Sequence, residues 1–488
     1  MTRTLYVTTT IPYVNAPPHV GFALELVQAD AIARYHRLVG ETVRLQTGTD
    51  ENAFKNVLSA KARGVSVETL VEENAARFQA LCRDLNISHD VFLRTTDPPH
   101  RHAVGEFLAR LRPGDVYRAP YRGLYCPGCE DFYLERDLDG HHCPEHHTPV
   151  VTVEECNYFF RLPAYAQRVR HLISSRRLHV VPEAREIEVL RFLDRGLVDI
   201  SISRDAARSA GWGIPFPGDP SQVVYVWIDA LVNYLSGLGF PGGEQVPRFW
   251  NDNTDSTKLH LIGKNVWKFH AIYWPALLLS AGLPVPDRIV VHGFLTHEGA
   301  KISKSSGVAP DPVPYIHRFG ADAVRHFLLR HTHPFQDADF SLARLEAAYE
   351  ADLANGLGNL VSRLTALCET IELSGTGAAQ SPPAPPDYHE HCRAYRYDLA
   401  IASLWNEVSR INAEISEARP WEQLSAGHVC AARVRLIGWV NRLAAVGHWL
   451  QPVLPVTGDD QGGIVSSAHP QVWTAVSAPR PLGSINRF

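Results

Sequence analysis

The sequence predicts an α/β protein, in which a parallel sheet covered by helices is split by an inserted segment and followed by a bundle of helices. Strand-like segments rich in β-branched and aromatic residues alternate with segments of helical period over the first part of the chain, which is typical of parallel sheets. Pro, Gly and Cys accumulate around residues 112–133, where this alternation stops until about residue 223. From about residue 352 the strand patterns end and amphipathic helical patterns remain.

Each element follows from its own pattern. Strands are predicted at residues 5–13, 42–50, 223–230, 259–264 and 288–294. The first helix has apolar residues every three or four positions from Phe22 to Ala33, and a second helix covers residues 67–85. The predicted domains are the two halves of the sheet domain at 1–115 and 223–310, an insertion at 116–222, a junction at 311–349, a helical bundle at 350–460 and a tail at 461–488. Within the helical part, residues 374–387 form a loop rich in Pro, Ala and Gly.

Composition limits the class of protein. At 488 residues the chain is too long for one hydrophobic core, and its 45% apolar and 20% charged residues are typical of a globular protein. The net charge of −5 argues against a generally basic nucleic-acid-binding surface. No stretch is long and apolar enough to span a membrane, and the first residues lack the apolar core of a signal peptide, so a cytoplasmic protein is expected.

A histidine and a glycine lie between the first predicted strand and the helix after it. The segment reads PPHVGFALE at residues 17–25, with His19 and Gly21 at the start of the helix. A strand, a tight turn and a helix start present backbone N–H groups and the positive end of the helix dipole, which together bind phosphate. The pattern alone also fits a purely structural turn, and Phe22 offers no further hydrogen-bond donor.

A second motif holds two of the chain's seven lysines three residues apart. The segment GAKISKSSG at residues 299–307 places Lys301 and Lys304 in a loop flanked by Gly and Ser. Flexible ammonium groups in such a loop can bind a polyphosphate, whereas a solvated surface loop is the alternative.

Cysteine spacing predicts a metal site in the inserted segment. Two pairs of soft ligands, each with a two-residue gap, suit tetrahedral Zn²⁺, and four protein ligands make such a site structural rather than catalytic. The predicted ligands are Cys126, Cys129, Cys143 and His146. Three neighbouring histidines are alternatives to the last ligand, although the matching gaps favour His146: these are His141, His142 and His147.

Together these segments resemble the methionyl-tRNA synthetases, class I aminoacyl-tRNA synthetases with a Rossmann-type catalytic domain. The resemblance runs from about residue 5 to residue 455. PHVGF stands where the family has its HIGH signature, and KISKS stands where it has KMSKS. Further segments follow in the family's order, namely SISRD, WGIPFPGD, YVWIDALVNY, HLIGK and FHAIYWPA. YCPGC, CPEH and NYFFRL resemble the family's zinc-bearing connective insertion.

The resemblance implies an ATP-dependent amino-acid ligase. ATP and an amino acid would give an aminoacyl-adenylate and pyrophosphate, and the acyl group would pass to the 3′ end of tRNA, with Mg²⁺ accompanying ATP. The residues that would contact ATP are His19, Gly21, Arg204, Lys301, Ser303 and Lys304. Among these, His19, Gly21, Lys301 and Lys304 form the catalytic set. His19 and Lys304 would stabilise the pentavalent α-phosphate, and Lys301 would close over the pyrophosphate with the Ser303 region.

The resemblance also implies an amino-acid pocket and a tRNA contact. The pocket residues would be Ile11, Tyr13, Asp50, Trp227, Ala230, Tyr234, His270 and Trp274. Asp50 would hold the substrate ammonium, and an aromatic wall with one polar tip suits a thioether, although plain core packing is the alternative for each aromatic. In the anticodon-binding-like bundle, which follows a stem-contact-like junction, Asn359, Arg363 and Trp421 stand where the family reads the CAU anticodon. Arg363 also fits a salt bridge on a helix surface.

The sequence departs from the family at the substrate pocket. Phe22 replaces the second histidine of HIGH, DENA at residues 50–53 replaces DEHG, and Asn265 stands where an aspartate is usual, whereas Ile302 is a mild change within KMSKS. These departures favour a specialised paralog as the alternative, such as the synthetase-like part of a hydrazine synthetase. That enzyme would work with a cupin protein and join an amino acid such as glycine to a small acceptor such as N-hydroxylysine. A non-catalytic tRNA-binding module is a third hypothesis.

Overall fold

The computed structural model describes residues 3–126, 128, 130–133, 135–144, 147–253, 255–302, 310–370 and 382–455. The chain divides into two compact units, each assembled from separate stretches of sequence. The first unit contains residues 1–18, 40–80 and 89–292, and the second contains residues 19–39, 81–88 and 293–488. The domain limits expected from the sequence remain predictions.

Among the described residues, strands and helices occur together up to residue 340, and only helical segments follow. The strands are β1 (Thr4–Thr8), β2 (Thr42–Thr49), β3 (Val91–Arg94), β4 (Val116–Cys126), β5 (Asp131–Tyr133), β6 (Val151–Phe160), β7 (His179–Val181), β8 (Ile200–Ser201), β9 (Ser203–Asp205), β10 (Pro215–Phe216), β11 (Asp219–Val224), β12 (Ser256–Gly263), β13 (Arg288–His292), β14 (Leu295–His297), β15 (Ala300–Lys301) and β16 (Ala338–Phe340). The α-helices are α1 (Val20–Leu38), α2 (Phe54–Arg63), α3 (Val67–Asp84), α4 (Pro98–Ala109), α5 (Ala166–Ser174), α6 (Glu183–Asp194), α7 (Val226–Ser236), α8 (Gln245–Phe249), α9 (Trp274–Ala281), α10 (Val313–Phe319), α11 (Ala321–Arg330), α12 (Leu342–Ala348), α13 (Asn359–Glu369), α14 (Tyr388–Arg393), α15 (Tyr397–Ala418), α16 (Pro420–Ser425) and α17 (Val429–Leu450). Short 3₁₀ turns occur at Glu135–Asp137, Leu162–Tyr165 and Ala206–Ser209, and π-helical segments at Phe269–Tyr273 and Tyr349–Gly358.

A six-stranded parallel sheet forms the centre of the first unit. Its strand order is β3-β2-β1-β12-β13-β7, and Thr4 of β1 pairs with Thr42 on one side and Ser256 on the other. The order reverses at β1, because β2 and β3 lie on one side of it and β12, β13 and β7 lie on the other. Ligands of parallel sheets bind beyond the carboxyl ends of the strands at such a reversal. The residues after β1 and β2 are therefore placed where a site is expected.

Most strands of the predicted insertion are antiparallel, whereas its strand β7 joins the central sheet and pairs parallel with β13. The long strands β4 and β6 pair from Val116 with Phe160 to Tyr125 with Val151, and β5 and β8 complete a four-stranded sheet. A smaller sheet has the order β10-β11-β9. One buried cluster contains side chains from β6, α4, α5, α7 and α9, among them Phe107 and Trp274. The strand pattern of the sequence therefore breaks because the sheet type changes.

The second unit is mainly helical. It contains α1, the helices α10 to α12, a three-stranded sheet of order β15-β14-β16, and the helices that follow. Within α15 the buried residues recur every three or four positions, which is the period of a helix packed on one face. These residues are Tyr397, Ala400, Ile401, Leu404, Trp405, Val408, Ile411 and Ile415. No helix among the described residues is long and apolar enough to cross a membrane.

The structure confirms the α/β class and most predicted elements, but the strand predicted at residues 223–230 is wrong. Strand β11 ends at Val224, and helix α7 begins at Val226. The apolar run there is short and buried on all sides, so its periodicity does not distinguish a strand from a buried helix. The strand predicted at residues 5–13 ends at Thr8, while Tyr13 forms an isolated bridge.

Candidate active site

Tyr13 and Asp50 meet beyond the carboxyl ends of the neighbouring strands β1 and β2. They form an isolated parallel bridge, in which the Asp50 N–H donates to the carbonyl of Pro12 at 2.9 Å. The N–H of Val14 donates to the Asp50 carbonyl at 3.4 Å. The sheet therefore brings together two residues that are 37 positions apart in the predicted pocket.

Helix α7 presents three predicted pocket residues on one face. Trp227, Ala230 and Tyr234 are spaced by three and four positions, so they lie above one another along the helix. The Trp227 ring stacks on Phe269, with centroids 4.0 Å apart and planes 7° from parallel, and lies 6.0 Å from the Tyr13 ring. An aromatic wall therefore extends from the end of β1 to the π-helical segment Phe269–Tyr273.

The polar end of this wall is a tyrosine–histidine pair. Tyr234 donates its hydroxyl proton to Nε2 of His270 at 2.7 Å, since Nδ1 of His270 donates to the Val266 carbonyl at 2.9 Å. Burial lowers the pKa of His270 to about 4, although the hydrogen bond to the Val266 carbonyl tends to raise it. The ring is therefore neutral at pH 7. The Tyr234 oxygen retains the capacity to accept a hydrogen bond from a ligand. Trp274 is fully buried, with its ring centroid 6.2 Å from that of Tyr234.

Asp50 has a buried carboxylate oxygen whose hydrogen-bonding capacity is unused. Asp50 is 1% exposed, and its Oδ1 has no hydrogen-bond partner among the described residues. Burial raises the pKa of Asp50 well above its ordinary value, and the nearby carboxylates of Asp229 and Glu130 raise it further. A hydrogen bond from the Asn52 N–H lowers this pKa, but it does not outweigh the other effects. A buried carboxylate in such surroundings favours a bound cation, and an ammonium group would supply both a charge and hydrogen bonds.

A second carboxylate, Asp229, supports the Asp50 segment from helix α7. Asn52 donates its side-chain N–H to Asp229 Oδ2 at 2.7 Å and to the Thr95 carbonyl at 3.1 Å. His100 bonds to Asp229 Oδ1 at 2.6 Å and to the Ser236 hydroxyl at 2.7 Å, and both members of the histidine–aspartate pair are fully buried. Asn52 is one of the departures from the family pattern. Both donor bonds of its side-chain NH₂ group hold this network, whereas its Oδ1 has no hydrogen-bond partner among the described residues. Sequence reasoning missed Asp229 and His100, although the polar DENA segment was a signal for such partners.

Two other predicted residues of the first unit have different surroundings. Ile11 is half-buried in the segment after β1. Arg204 is buried, with its guanidinium 3.8 Å from the Tyr225 ring centroid, and Nη1 donates to the Ser201 hydroxyl at 2.9 Å and the Ser203 carbonyl at 2.8 Å. These contacts hold Arg204 in place within the protein, and its predicted role toward phosphate remains a prediction.

The predicted signature histidine of the second unit forms the N-cap of α1. His19 has an extended backbone, and its Nδ1 accepts a hydrogen bond from the Gly21 N–H at 3.1 Å. Because Nδ1 is the acceptor, a neutral ring carries its proton on Nε2. A Cβ at position 21 would lie 3.0 Å from the His19 ring atoms, so glycine leaves room for this cap. Phe22, the departure from the signature, is buried in the first turn of the same helix.

The predicted lysine loop is described only at its start. Strands β14 and β15 pair antiparallel, with Thr296 opposite Lys301. For Lys301 the backbone alone is described, while Ser303 and Lys304 lie outside the described residues. Their roles therefore remain predictions.

The predicted zinc site is described at two of its four ligands. Cys126 ends strand β4, and Cys126 and Cys143 are both fully buried, with no disulfide among the described residues. The chain turns tightly at Cys143, whose carbonyl accepts from the His147 N–H at 2.8 Å and whose N–H donates to the Thr148 carbonyl at 2.9 Å. Cys129 and His146 lie outside the described residues. The alternatives His141, His142 and His147 are exposed.

The predicted anticodon residues lie on two helices of the second unit. Asn359 is exposed at the start of α13, and Arg363 follows one turn later. The Arg363 guanidinium donates to the side-chain Oδ1 of Asn412 at 3.1 Å and to the Ser416 hydroxyl at 3.2 Å, both on α15. Trp421 on α16 is 45% exposed, and among the described residues it shares no hydrogen bond or ring contact with Arg363. Arg363 therefore bonds to neutral groups rather than to a carboxylate.

Comparison with known proteins identifies the family. The family model "tRNA synthetases class I (M)" matches residues 5–157 and 145–365. The methionine–tRNA ligase of Thermotoga maritima is 38% identical over 475 residues, covering 93% of this chain and 74% of the relative. That of Mycobacterium bovis is 40% identical over 474 residues, covering 92% of this chain and 89% of the relative.

A solved structure of similar sequence has the same fold. Mycobacterium tuberculosis methionyl-tRNA synthetase in complex with methionyl-adenylate superposes with a TM-score of 0.87 at 36% identity, covering 98% of this chain and 97% of that chain. The parallel sheet, the matched segments and these similarities agree. The chain belongs to the methionyl-tRNA synthetase family of class I, ATP-dependent amino-acid ligases.

Proposed function

We propose that the protein activates methionine with ATP and transfers it to tRNA. The observation that carries this proposal is the buried Asp50 carboxylate, one oxygen of which has no hydrogen-bond partner among the described residues. Asp50 is bridged to Tyr13, which belongs to an aromatic wall with a single polar end. An amino acid offers an ammonium group to Asp50, and a thioether side chain packs well against aromatic rings. The proposed pocket consists of the eight residues predicted from the sequence: Ile11, Tyr13, Asp50, Trp227, Ala230, Tyr234, His270 and Trp274.

For the adenylation step, the proposed phosphate contacts come from His19 and the lysine loop. A neutral His19 with its proton on Nε2 can donate that proton to a phosphate oxygen, and the N-terminus of α1 favours negative charge. Lys301, Ser303 and Lys304 are proposed to contact the pyrophosphate part, with Mg²⁺ accompanying ATP. Arg204 is proposed as an auxiliary contact. Each preorganised donor of this kind typically contributes about 3 kcal/mol to transition-state stabilisation.

For the transfer step, the proposed acceptor is a tRNA with a methionine anticodon. The Arg363 guanidinium donates to two neutral oxygens, and within the described part of the chain it forms no ion pair with a carboxylate. It can donate to a base edge, together with the exposed amide of Asn359, while the half-exposed Trp421 offers a face for stacking. We propose the cytoplasm as the compartment, because ATP and tRNA are both available there.

Zinc is proposed as a structural ion of the inserted segment. Two fully buried thiols at the end of β4 and in a tight turn provide soft ligands of the kind that zinc requires. Cys126, Cys129, Cys143 and His146 would hold the ion, which would fix the two turns of this segment.

The hydrazine-synthetase alternative depended on the altered pocket residues. Asn52 now has a defined role in holding Asp229, so the change from the family pattern there does not itself indicate another substrate. The replacement of the second signature histidine by Phe22 still fits this alternative. The relatives reported above are methionine–tRNA ligases, and they favour the first proposal.

The proposal is tested by amino-acid-dependent exchange of pyrophosphate into ATP. The purified full-length protein is assayed with methionine, glycine and the other standard amino acids, and then for charging of bulk tRNA. We expect exchange that depends on methionine and formation of methionyl-tRNA. Arg363→Gln should leave exchange unchanged and raise the KM for tRNA about tenfold, since base contacts contribute about 1–3 kcal/mol. Exchange with glycine and no tRNA charging would instead indicate a small-molecule acceptor, and no exchange at all would indicate a non-catalytic module.

A further inference from the structure

Glu130 of the inserted segment is buried against the start of helix α2. It follows the predicted zinc ligand Cys129, has a left-handed φ of 55° and is 4% exposed. Its Oε1 accepts a hydrogen bond from the Lys55 N–H at 2.7 Å, and the Phe54 N–H donates to the same carboxylate. The insertion is therefore hydrogen-bonded to the start of α2, which lies 75 residues earlier in the sequence.

Helix α2 lacks a cap of its own. It begins at Phe54, and its N-cap residue Ala53 has no side chain that can accept a hydrogen bond. The first N–H groups of a helix need acceptors, and a carboxylate is favoured there because it also faces the positive end of the helix dipole. Glu130 supplies the cap that the local sequence does not.

The start of α2 is continuous with the segment that carries Asp50. Only three residues separate Asp50 from Phe54. A second residue of the insertion, Trp212, donates its indole N–H to the Glu51 carbonyl at 2.8 Å. The insertion thus holds this short segment at two points, on the carbonyl of Glu51 and at the first turn of α2.

We propose that Glu130 is a positioning residue for the amino-acid substrate, which fixes the Asp50 segment by capping the start of α2. The connective insertion would then control the affinity for the amino acid and not only support the fold. This inference rests on the proposed function of the Asp50 pocket.

The test compares Glu130→Ala and Glu130→Gln in methionine-dependent pyrophosphate exchange. Glu130→Ala removes both cap and charge, and the KM for methionine should rise about tenfold, while the KM for ATP stays within about twofold. Glu130→Gln keeps a hydrogen-bond acceptor and removes the charge, so its KM should lie between those of the wild type and Glu130→Ala. Because it preserves side-chain size, Glu130→Gln also carries the test if Glu130→Ala does not fold.

A control and a rescue variant separate positioning from a general structural effect. Glu135 is an exposed residue of the same segment, and Glu135→Ala should leave both KM values unchanged. Ala53 has the extended backbone of an N-cap residue, so Ala53→Ser can supply a local cap. Added to Glu130→Ala, it should recover part of the lost methionine affinity. Zinc content and melting temperature are measured for every variant. Zinc content should match the wild type, and the melting temperature of Glu130→Ala should fall by only a few degrees, as expected for a lost helix cap.

The outcomes distinguish this inference from the proposed function. Absence of methionine-dependent exchange in the wild type overturns both. An active wild type with an unchanged methionine KM in Glu130→Ala overturns the present inference alone. A fall in kcat with an unchanged KM for methionine also overturns the Glu130 inference. The same holds if the loss of methionine affinity accompanies a loss of zinc and is not improved by Ala53→Ser, since both results indicate a structural role.

Discussion

Asp50 and Asp30 are two fully buried aspartates with opposite surroundings. Asp50 of the first unit has a carboxylate oxygen without a partner among the described residues, and its pKa is raised by burial and by neighbouring carboxylates. Asp30 of the second unit lies on helix α1 and is bonded by Arg325 at 2.7 Å and Arg34 at 2.8 Å. Ser88 donates to it through its N–H at 2.7 Å and its hydroxyl at 2.6 Å. Burial tends to raise the pKa of Asp30, but the two guanidinium groups and Ser88 outweigh it and lower the pKa.

The comparison shows that burial alone does not identify a binding residue. Arg325 uses its other N–H groups on the carbonyls of Leu85, Pro452 and Val453, so the Asp30 site is saturated and stabilises the second unit. Among the described residues, the Asp50 site has unused hydrogen-bonding capacity beside further carboxylates, which a bound ammonium would complete. Unused capacity at a buried charge therefore points to the ligand.

The largest expected effect is on catalysis at Asp50. Asp50→Asn should reduce methionine-dependent pyrophosphate exchange by about 100-fold or more, because a charge-assisted contact to the ammonium is lost. The melting temperature should stay equal or rise, since a buried and poorly compensated charge is removed. Asp97→Asn, at an exposed aspartate of the same unit, should keep wild-type activity. A fully active Asp50→Asn enzyme would contradict a substrate-binding role for Asp50 and thus the proposed difference from Asp30.

The next effect is on stability at Asp30. Asp30→Asn should lower the free energy of unfolding by about 3–5 kcal/mol, because Arg325 loses its partner while it remains buried. Urea denaturation monitored by circular dichroism measures this change. Glu73→Gln, which breaks the exposed Arg63–Glu73 pair, is the matched control and should change stability by less than about 1 kcal/mol. Equal effects of the two variants would contradict a structural role for Asp30.

The smallest effect is a difference in the pH dependence of stability. The folded pKa of Asp30 lies below its ordinary value of 3.8, so its stabilisation is present above that value and is lost as the pH falls through the folded pKa. The folded pKa of Asp50 lies above 3.8, so its contribution is lost as the pH rises through that higher value. In acid, the free energy of unfolding of Asp30→Asn should therefore approach that of the wild type. Toward neutral pH, the free energy of unfolding of Asp50→Asn should rise relative to that of the wild type. Urea midpoints measured across this range would contradict the comparison if both variants changed in the same direction.

Most of the fold could be predicted from the sequence, because parallel strands and amphipathic helices have local patterns. The helix at residues 226–236 could not, since a short buried apolar run has no decisive period. Tyr13, Trp227 and Tyr234 were predicted as pocket residues from family segments. In the structure Tyr13 contacts Trp227, and Trp227 and Tyr234 share one face of α7, while their role in a pocket remains a prediction.

The supporting residues could not be predicted because their partners are distant in sequence. Asp229 meets His100 across 129 positions, and Glu130 meets Lys55 across 75 positions. No local pattern marks such pairs, and a buried polar residue is identified only once its partners are known. The departure at Asn52 gave a signal, but its meaning became clear only with the position of Asp229.

The most direct measurement of the central claim is a calorimetric comparison of methionine with 4-(methylthio)butanoate, which lacks only the amino group. We expect the wild type to bind methionine about 30-fold more tightly or better, since the ammonium completes the buried Asp50 site. In Asp50→Asn this difference should nearly disappear. Equal affinity of the wild type for both compounds, or an undiminished difference in Asp50→Asn, would contradict the assignment of Asp50 as the ammonium-binding residue.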